Sequence, residues 1–434
     1  MKPQFEIDIE DLSHDGRGVG RVDGKAVFVA GALPGERVRA EQTGRKRSFD
    51  EARTLEVMRA SPNRVEPACP HFGYCGGCAL QHLSAPAQIA SKQKVLAENF
   101  ERIGHVECEQ WLPPLTADQW HYRRKARLGV KYVRKKERVL VGFREAADPR
   151  FIADLTECRV LVRQVGTRIE ALARMIEQLD AREKIPQIEV AAADQQTVLV
   201  FRHLEPLSAA DKQRLAGFGR EHALVIWLQP AGLDSVHSLE PIAQPLSFSL
   251  DDFNLNIEFQ PLDFVQVNGS MNQKMIRHAL QLLQLAPQHR VLDLFCGLGN
   301  FTLPIAGQVA RVVGVEGEAG LVQRARDNAE RNGIQNAEFH VADLSKPLAG
   351  VDWLQADYDR LLLDPPRTGA DGIIVQLPLE RIERIVYVSC HPGSLARDAG
   401  ILVRDHGYRL VQAGVMDMFP HTAHVESIAV FERA

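Results

Sequence analysis

Beyond residue 263 the chain alternates short apolar, β-branched runs with segments of helical length: RVLDLF, RVVGVE, AEFHVAD, DRLLLDPP and RIVYVSC are the runs. Runs separated this widely cannot pair through tight hairpins. They need crossover connections, and crossovers place helices on the faces of a mostly parallel sheet. The last part of the chain is therefore expected to be an α/β doubly wound domain, with its ligand crevice at the carboxyl ends of the strands.

The first run leads through Val291-Leu-Asp-Leu-Phe-Cys-Gly-Leu-Gly-Asn-Phe-Thr302. Its glycines, Gly297 and Gly299, let the backbone come close to a ligand. The next run ends at Glu316, about twenty residues on, where a carboxylate suits two ribose hydroxyls. The third glycine of the dinucleotide fingerprint is missing, which disfavours a nicotinamide enzyme. D-L-F-C-G-x-G-x-F instead resembles the first motif of Rossmann-like methyltransferases. Asp343 in VADL and Asp364 in LLLDPPR close the next two runs, on the same edge.

The chain has 434 residues, more than one ordinary domain of about 100–200 residues. In residues 1–62, Phe5, Ile7 and Ile9 alternate with acidic residues, and turn signals stand at Asp23-Gly24 and Pro34-Gly35. Many short strands in this span predict an oligonucleotide-binding-like β-barrel. Residues 63–92 carry a cysteine loop. Residues 93–262 mix strands (RLGVKYV, RVLVGFRE, TVLVFRHL, ALVIWLQP) with helical stretches and read as a central α+β domain. Residues 263–434 form the doubly wound domain. The amino terminus lacks a basic start followed by an apolar run, and no stretch has the length to span a bilayer, so a cytoplasmic protein without membrane contact is expected. A monomer is the expected state.

The net charge of −4 argues against a chain that coats nucleic acid indiscriminately. Two basic stretches are candidate RNA contacts all the same. One runs from Arg37 to Arg59 and includes Arg45, Lys46 and Arg47. The other runs from Arg123 to Arg144 and includes Arg124, Lys125, Arg127, Lys131, Arg134, Lys135, Lys136 and Arg138. A solvated charged face is the plain alternative for each.

Two residues at the end of the chain suggest covalent chemistry on a pyrimidine. Carbon 5 of uracil is a poor nucleophile until a thiolate adds to carbon 6 and makes the ring an enolate. After methyl transfer, a base must remove the carbon 5 proton so that the thiol can leave. Cys390 in YVSC ends a β-rich run and is followed by His391-Pro392-Gly393; Glu426 leads into the strand SIAVFE. A buried packing cysteine is the commoner fate of a free thiol, but DPPR one strand earlier shifts the balance toward chemistry. His391, His421 and His424 are further acid–base candidates, although loop histidines more often serve as ordinary hydrogen-bonding groups.

The seven cysteines do not form a disulfide pattern for a reducing compartment. Cys69, Cys75 and Cys78 put three thiols on one tight loop around Gly76 and Gly77, with Cys158 in DLTECRVL as a distant fourth and Cys108 as a substitute for it. Four thiolates suit a [4Fe–4S] cluster or a structural zinc; zinc more often takes two matched short-gap pairs. Cys296, in the glycine loop, reads as a small packing residue.

Taken together, PHFGYCGGC, FVQVN, DLFCGLGNF, LLLDPPRTG, YVSCHPGSLARD and HTAHVESIAVF resemble the RNA (uracil-5-)-methyltransferase family over essentially the whole chain. The resemblance implies a Rossmann-like S-adenosylmethionine methyltransferase domain, an N-terminal TRAM barrel and a central α+β domain carrying an iron–sulfur cluster. It implies Cys390 as nucleophile and Glu426 as the proton-abstracting base. Gln266, Phe295, Asn300, Glu316, Asp343 and Asp364 match cofactor-binding positions, and Cys69, Cys75, Cys78 and Cys158 match the ligands of a [4Fe–4S] cluster. His391 departs from the family, whose members often carry Asn there. The family can also pack residues around 93–124 onto the methyltransferase domain. The TRAM and cysteine modules favour 23S ribosomal RNA as substrate. The alternatives are a tRNA uracil-5-methyltransferase, an RNA cytosine-5-methyltransferase, which usually sets its cysteine in a Pro-Cys context, an amino-group methyltransferase, whose Asp-Pro-Pro is typically followed by an aromatic residue instead of Arg367, and a non-catalytic RNA-binding protein.

Overall fold

The computed structural model describes residues 2–348 and 350–433. They divide into two compact units, each discontinuous in sequence: Met1–Val95 with Phe143–Ala153 and Phe419–His424, and Leu96–Gly142 with Asp154–Met418 and Val425–Ala434.

In the first unit, β1 (Gln4–Leu12), β2 (Gly18–Val22), β3 (Lys25–Ala30), β4 (Arg37–Arg45) and β5 (Phe49–Arg59) close into a barrel of order β1-β2-β3-β5-β4. The alternation expected of half-buried strands is present. Ile7, Ile9, Val27, Val29, Val38 and Ala40 fill the interior while their neighbours face outward. Glu36 is fully buried between strands and accepts from the Leu33 and Ser61 amides at 2.8 and 3.2 Å, besides pairing with Arg64. Helix α1 (Ala85–Asn99) runs from this unit into the second, where the short strand β6 (Gln110–Trp111) follows it.

The second unit contains two larger sheets. A six-stranded one joins β7 (Lys125–Val133), β8 (Arg138–Gly142), β9 (Gln187–Ala192), β10 (Thr197–Arg202), β11 (Leu224–Gln229) and β12 (His237–Ser238) in the order β12-β11-β10-β9-β7-β8. It contains all four strands expected for the central α+β region, and helices α2 (Ile169–Glu177) and α3 (Ala209–His222) connect them. A hairpin of β13 (Leu246–Leu250) and β14 (Leu255–Phe259) follows.

The other sheet has eight strands. Its core is β15 (Arg290–Leu294), β16 (Arg311–Glu316), β17 (Ala337–Val341), β18 (Arg360–Leu363) and β19 (Arg384–Ser389), all parallel. Two strands complete the chain, β20 (Tyr408–Met416) and β21 (Glu426–Arg433), and β21 runs antiparallel between β19 and β20. The order β17-β16-β15-β18-β19-β21-β20-β6 reverses direction of winding between β15 and β18, which opens a crevice at their carboxyl ends. Helices α4 (Gly269–Leu283), α5 (Thr302–Ala306), α6 (Ala319–Arg331) and α7 (Pro392–His406) flank it.

Residues well before the doubly wound region also belong to this sheet. The π turn Phe100–Gly104 packs on α7, where Arg404 donates to the Gly104 carbonyl at 3.0 Å, and β6 pairs with β20. Glycines permit this approach: a Cβ on Gly104 would lie 2.6 Å from the Ala396 carbonyl, and one on Gly400 2.8 Å from that of Gly104.

The two basic stretches differ in what they leave free. In the second, Arg124 is only 7% exposed, and Lys125 is half-buried with its ammonium on the Pro261 carbonyl. Arg127, Arg134, Lys136 and Arg138 pair with Glu189, Glu183 and Asp154. In the first, Arg37, Arg39, Arg53 and Arg59 are paired, while Arg45, Lys46 and Arg47 are exposed with no acidic partner among the described residues. No helix among the described residues is long and apolar enough to cross a membrane.

Candidate active site

The glycine loop leaves β15 under strain. Phe295 has φ +65°, and its amide and that of Cys296 both donate to the Val315 carbonyl, at 2.8 and 3.1 Å. A non-glycine residue in the left-handed region has an energetic cost. Here the two hydrogen bonds from β16 hold the turn that presents the half-buried Phe295 at the crevice. Gly314, inside β16, has no room for a side chain: a Cβ would meet the Phe339 ring at 2.9 Å and the Cys296 sulfur at 3.0 Å.

Glu316 ends β16. One carboxylate oxygen accepts from the Gly297 amide at 3.2 Å, the other from Gly317 and Glu318 at 2.7 and 3.2 Å. It therefore joins two adjacent strand ends. Asn300 is oriented by Asn272 of α4 through two reciprocal amide bonds of 2.9 Å. Gln266 is half-buried, with its backbone carbonyl fixed by the Arg124 guanidinium at 2.7 Å. Asp343 lies just past β17, exposed, and binds Lys346 and then the Ser345 hydroxyl and amide, which hold its carboxyl down at about 2.

Asp293, the first residue of D-L-F-C-G-x-G-x-F, is not among the cofactor-binding positions that the resemblance implies. It is fully buried on β15, accepts from the Thr302 hydroxyl at 2.5 Å, and leaves its other oxygen without a hydrogen-bond partner. Burial pushes its carboxyl up to about 8, with Asp364 and Glu316 adding to the shift. The carboxyl of Asp364, at the end of β18, is pushed up to about 7, first by burial and then by Glu316. The crevice thus gathers three carboxyls in a poorly hydrated place, which favours a cation.

Cys390 follows β19. The antiparallel register places Val388 opposite Ile428 and Ser389 opposite Ser427. One step further, the same register brings Cys390 opposite Glu426, which is 4% exposed. Burial, then the negative charges of Glu426 and Asp364, push the Cys390 thiol up to about 11, while Arg367 acts the other way. The expected nucleophile, the expected base and the Asp-Pro-Pro-Arg loop therefore meet at one strand edge. The parallel register from Leu363 to Tyr387 explains the proximity of Asp364. His391 caps α7, its Nδ1 accepting from the Ser394 amide at 3.1 Å. An Asn there would make the same kind of cap, so the departure preserves the local role. His421 belongs to the first unit, where its carbonyl accepts from the Ala79 and Leu80 amides, both at 2.9 Å.

The cysteine loop folds with the barrel unit and not with the central region. The Gly76 amide donates to the Arg144 carbonyl at 2.8 Å and the Ala146 amide to that of Tyr74 at 2.9 Å. Cys69, Cys75 and Cys78 are half-buried. The Gly77 amide donates to the Cys75 sulfur at 3.4 Å, and burial, then the nearby Cys69, raises the Cys75 thiol. Side chains at the two glycines would collide: a Cβ on Gly76 would lie 3.0 Å from the Arg144 carbonyl, and one on Gly77 3.2 Å from the Phe143 ring. Among the described residues no three His, Cys, Asp or Glu side chains converge on a point that would hold a single metal ion. A four-iron cluster asks for something else, since each thiolate binds its own iron. Cys158 is buried in the second unit, and Cys108 donates to the Gln110 carbonyl at 3.3 Å.

Residues 84–434 match the tRNA (uracil-5-)-methyltransferase family model, and residues 4–45 match the TRAM domain. Over 432 residues the chain is 60% identical to the 23S rRNA (uracil(1939)-C(5))-methyltransferase RlmD of Xanthomonas oryzae pv. oryzae, covering 99% of this chain and 97% of that protein. It is 59% identical, with the same coverage, to the protein of that name from Stenotrophomonas maltophilia. The crystal structure of the Pyrococcus abyssi tRNA (uracil-54, C5)-methyltransferase with S-adenosyl-L-homocysteine shares the fold, with a TM-score of 0.73 at 24% identity over 98% of this chain and all of that one. The chain belongs to the tRNA (uracil-5-)-methyltransferase family.

Proposed function

We propose that this chain transfers a methyl group from S-adenosylmethionine to carbon 5 of a uridine in 23S ribosomal RNA, at the position equivalent to the uracil 1939 named for its relatives. The observation that carries the reading is the place of Cys390, one residue past the Ser389–Ser427 pair of β19 and β21, where the charges of Glu426 and Asp364 both act on its thiol. The high identity along the full length favours the ribosomal substrate over tRNA, and Ser-Cys in place of Pro-Cys favours uracil over cytosine. RNA work also places the protein in the cytoplasm, where free thiols persist.

S-adenosylmethionine supplies an electrophilic methyl on a cationic sulfur. In this reading Glu316 takes the ribose hydroxyls, Phe295, Asn300 and Asp343 line the remainder of the nucleoside site, and Gln266 and Asp364 hold the amino-acid end. Cys390 gives its proton to solvent, and its sulfur forms a bond to carbon 6 of the uracil, pushing the ring electrons toward carbon 5. After methyl transfer, Glu426 takes the carbon 5 proton, the ring electrons reform the double bond, and the carbon–sulfur bond breaks. Incubating the protein with methyl-labelled S-adenosylmethionine and 23S RNA fragments tests the reading. Label should appear in 5-methyluridine at the one site, and Cys390→Ala should abolish it. Label in tRNA, in cytosine, or from the Ala variant would refute it.

We further infer that Cys69, Cys75, Cys78 and Cys158 hold a [4Fe–4S] cluster. The N–H to sulfur bond at Cys75 and the two glycines at the loop support it. Four protein thiolates leave no open iron for substrate, which fits a structural or RNA-positioning role.

A further inference from the structure

Beyond Cys390, one face of α7 grips the loop that follows Asp364. The Ser394 hydroxyl donates to the Arg367 carbonyl at 2.9 Å, and the Arg397 guanidinium to the Thr368 carbonyl at 2.8 Å. Asp398 is fully buried; one of its oxygens accepts from the Ala370 amide and from the Tyr387 hydroxyl, both at 2.6 Å, and the other from Arg397 at 2.8 Å. These helix positions, spaced by three and four residues, lie on one face. Between the gripped groups, Gly369 has φ +85°, and a Cβ there would lie 2.5 Å from the Arg397 guanidinium and 2.6 Å from the Asp398 carboxylate. A side chain at position 369 would therefore push the loop off α7. Tyr387 ties the same carboxylate to β19, three residues before the nucleophile.

We propose that Ser394, Arg397 and Asp398 are positioning residues that act through the Arg367–Ala370 loop, holding the Arg367 guanidinium where it favours the Cys390 thiolate. Among the described residues the leading charges on that thiol are Glu426 from β21, Asp364 from the end of β18, and Arg367 from the gripped loop, and of these three Arg367 is the cation. A loop free to swing would leave two carboxylates facing the sulfur without an opposing charge, and the thiol would become harder to ionise. The proposal rests on Cys390 being the reactive thiol, and its test needs neither RNA nor turnover.

The test is the rate of alkylation of Cys390 by iodoacetamide in the intact holoprotein, followed on the Cys390 peptide by mass spectrometry. Well below the thiol pKa that rate follows the thiolate fraction. Ser394→Ala removes the bond to the loop and the hydroxyl's contacts with the His391 carbonyl and Nδ1 at 3.1 and 3.2 Å, and it leaves the cap bond from the Ser394 amide. Asp398→Asn keeps an acceptor for Tyr387 and Ala370 but turns an amide N–H toward Arg397. Loss of an opposite charge near a thiolate raises its pKa by about one unit, so each variant should alkylate up to about tenfold more slowly. Arg367→Gln should give the same fall, and adding Asp398→Asn to it should give little more. Loosening without a charge effect would expose the sulfur and speed alkylation. Rates that are unchanged or faster in folded Ser394→Ala would overturn the proposal, even if Asp398→Asn fails to fold. Cys390→Ala in the methylation assay judges the nucleophile separately.

Discussion

Asn272→Ala offers a measured link between packing and cofactor affinity. Asn272 is buried on α4 and its amide exchanges two hydrogen bonds of 2.9 Å with Asn300 in the glycine loop. Removing it deletes both bonds. Each contributes about 0.5–1.5 kcal/mol net, so the loss is about 1–3 kcal/mol. Asn300 is half-buried, and water can replace part of what it loses, so the lower half of that range is expected. In a unit this large, each kcal/mol corresponds to about 2–4 °C in the melting temperature. Cofactor affinity should fall as well, because Asn300 must now be ordered at the moment of binding; a loss of about 1 kcal/mol is roughly fivefold in Kd. Calorimetric unfolding and titration with S-adenosylhomocysteine check both numbers. A variant that melts early yet binds S-adenosylhomocysteine with unchanged affinity would refute the assignment of Asn300 to the cofactor site.

Protein purified without oxygen should be brown and contain about four irons per chain; stoichiometric zinc without visible absorption would contradict the cluster. Reversing the charges of Arg45, Lys46 and Arg47 should weaken RNA binding and flatten its dependence on salt, by about 0.7 in the log–log slope for each single-strand phosphate that is no longer neutralised, whereas S-adenosylmethionine binding stays as it was. The second unit should lose thermal stability as pH rises from about 5.5 to 8.5: Asp293 and Asp364 are raised to about 8 and 7 in the folded state, so the folded chain binds more protons than the unfolded one across that window and stability drops as they leave. Asp364→Asn should remove part of that slope, and an identical slope in wild type and variant would count against the raised carboxyl.

The doubly wound sheet was legible because its signal is redundant. Five apolar runs at crossover spacing, two glycines in a loop and carboxylates at the strand ends all indicate one topology, and every run became a strand. The barrel was legible for a similar reason, since alternation in β1 and the turns at Asp23-Gly24 and Pro34-Gly35 fix local pairing. What the sequence concealed depends on contacts between distant segments. Nothing near Cys69 announces that its loop would fold with Phe143–Ala153 and with Phe419–His424. The basic stretch from Arg123 to Arg144 looks like one patch, but a strand turns alternate residues to opposite faces. Arg124 is buried, Lys125 is half-buried, and several of their neighbours find acidic partners. Asp293 was visible as the acidic residue that opens D-L-F-C-G-x-G-x-F, but its burial was not. Its burial beside the loop is set by Thr302, a residue recognisable as its partner only once α5 is placed. Cys390 and Glu426 were each visible as candidates, yet only the antiparallel register of β21 puts them together.

The central claim is that Cys390 acts before methyl transfer and Glu426 after it. Glu426→Gln keeps the shape of the side chain and removes the base. With methyl-labelled S-adenosylmethionine and the RNA substrate, this variant should form a protein–RNA adduct that survives denaturing electrophoresis and carries the label, because carbon 5 is methylated while its proton cannot leave. Cys390→Ala should form neither adduct nor product. Normal turnover by Glu426→Gln would contradict the account by placing the base elsewhere, and a labelled product from Cys390→Ala would contradict covalent catalysis altogether.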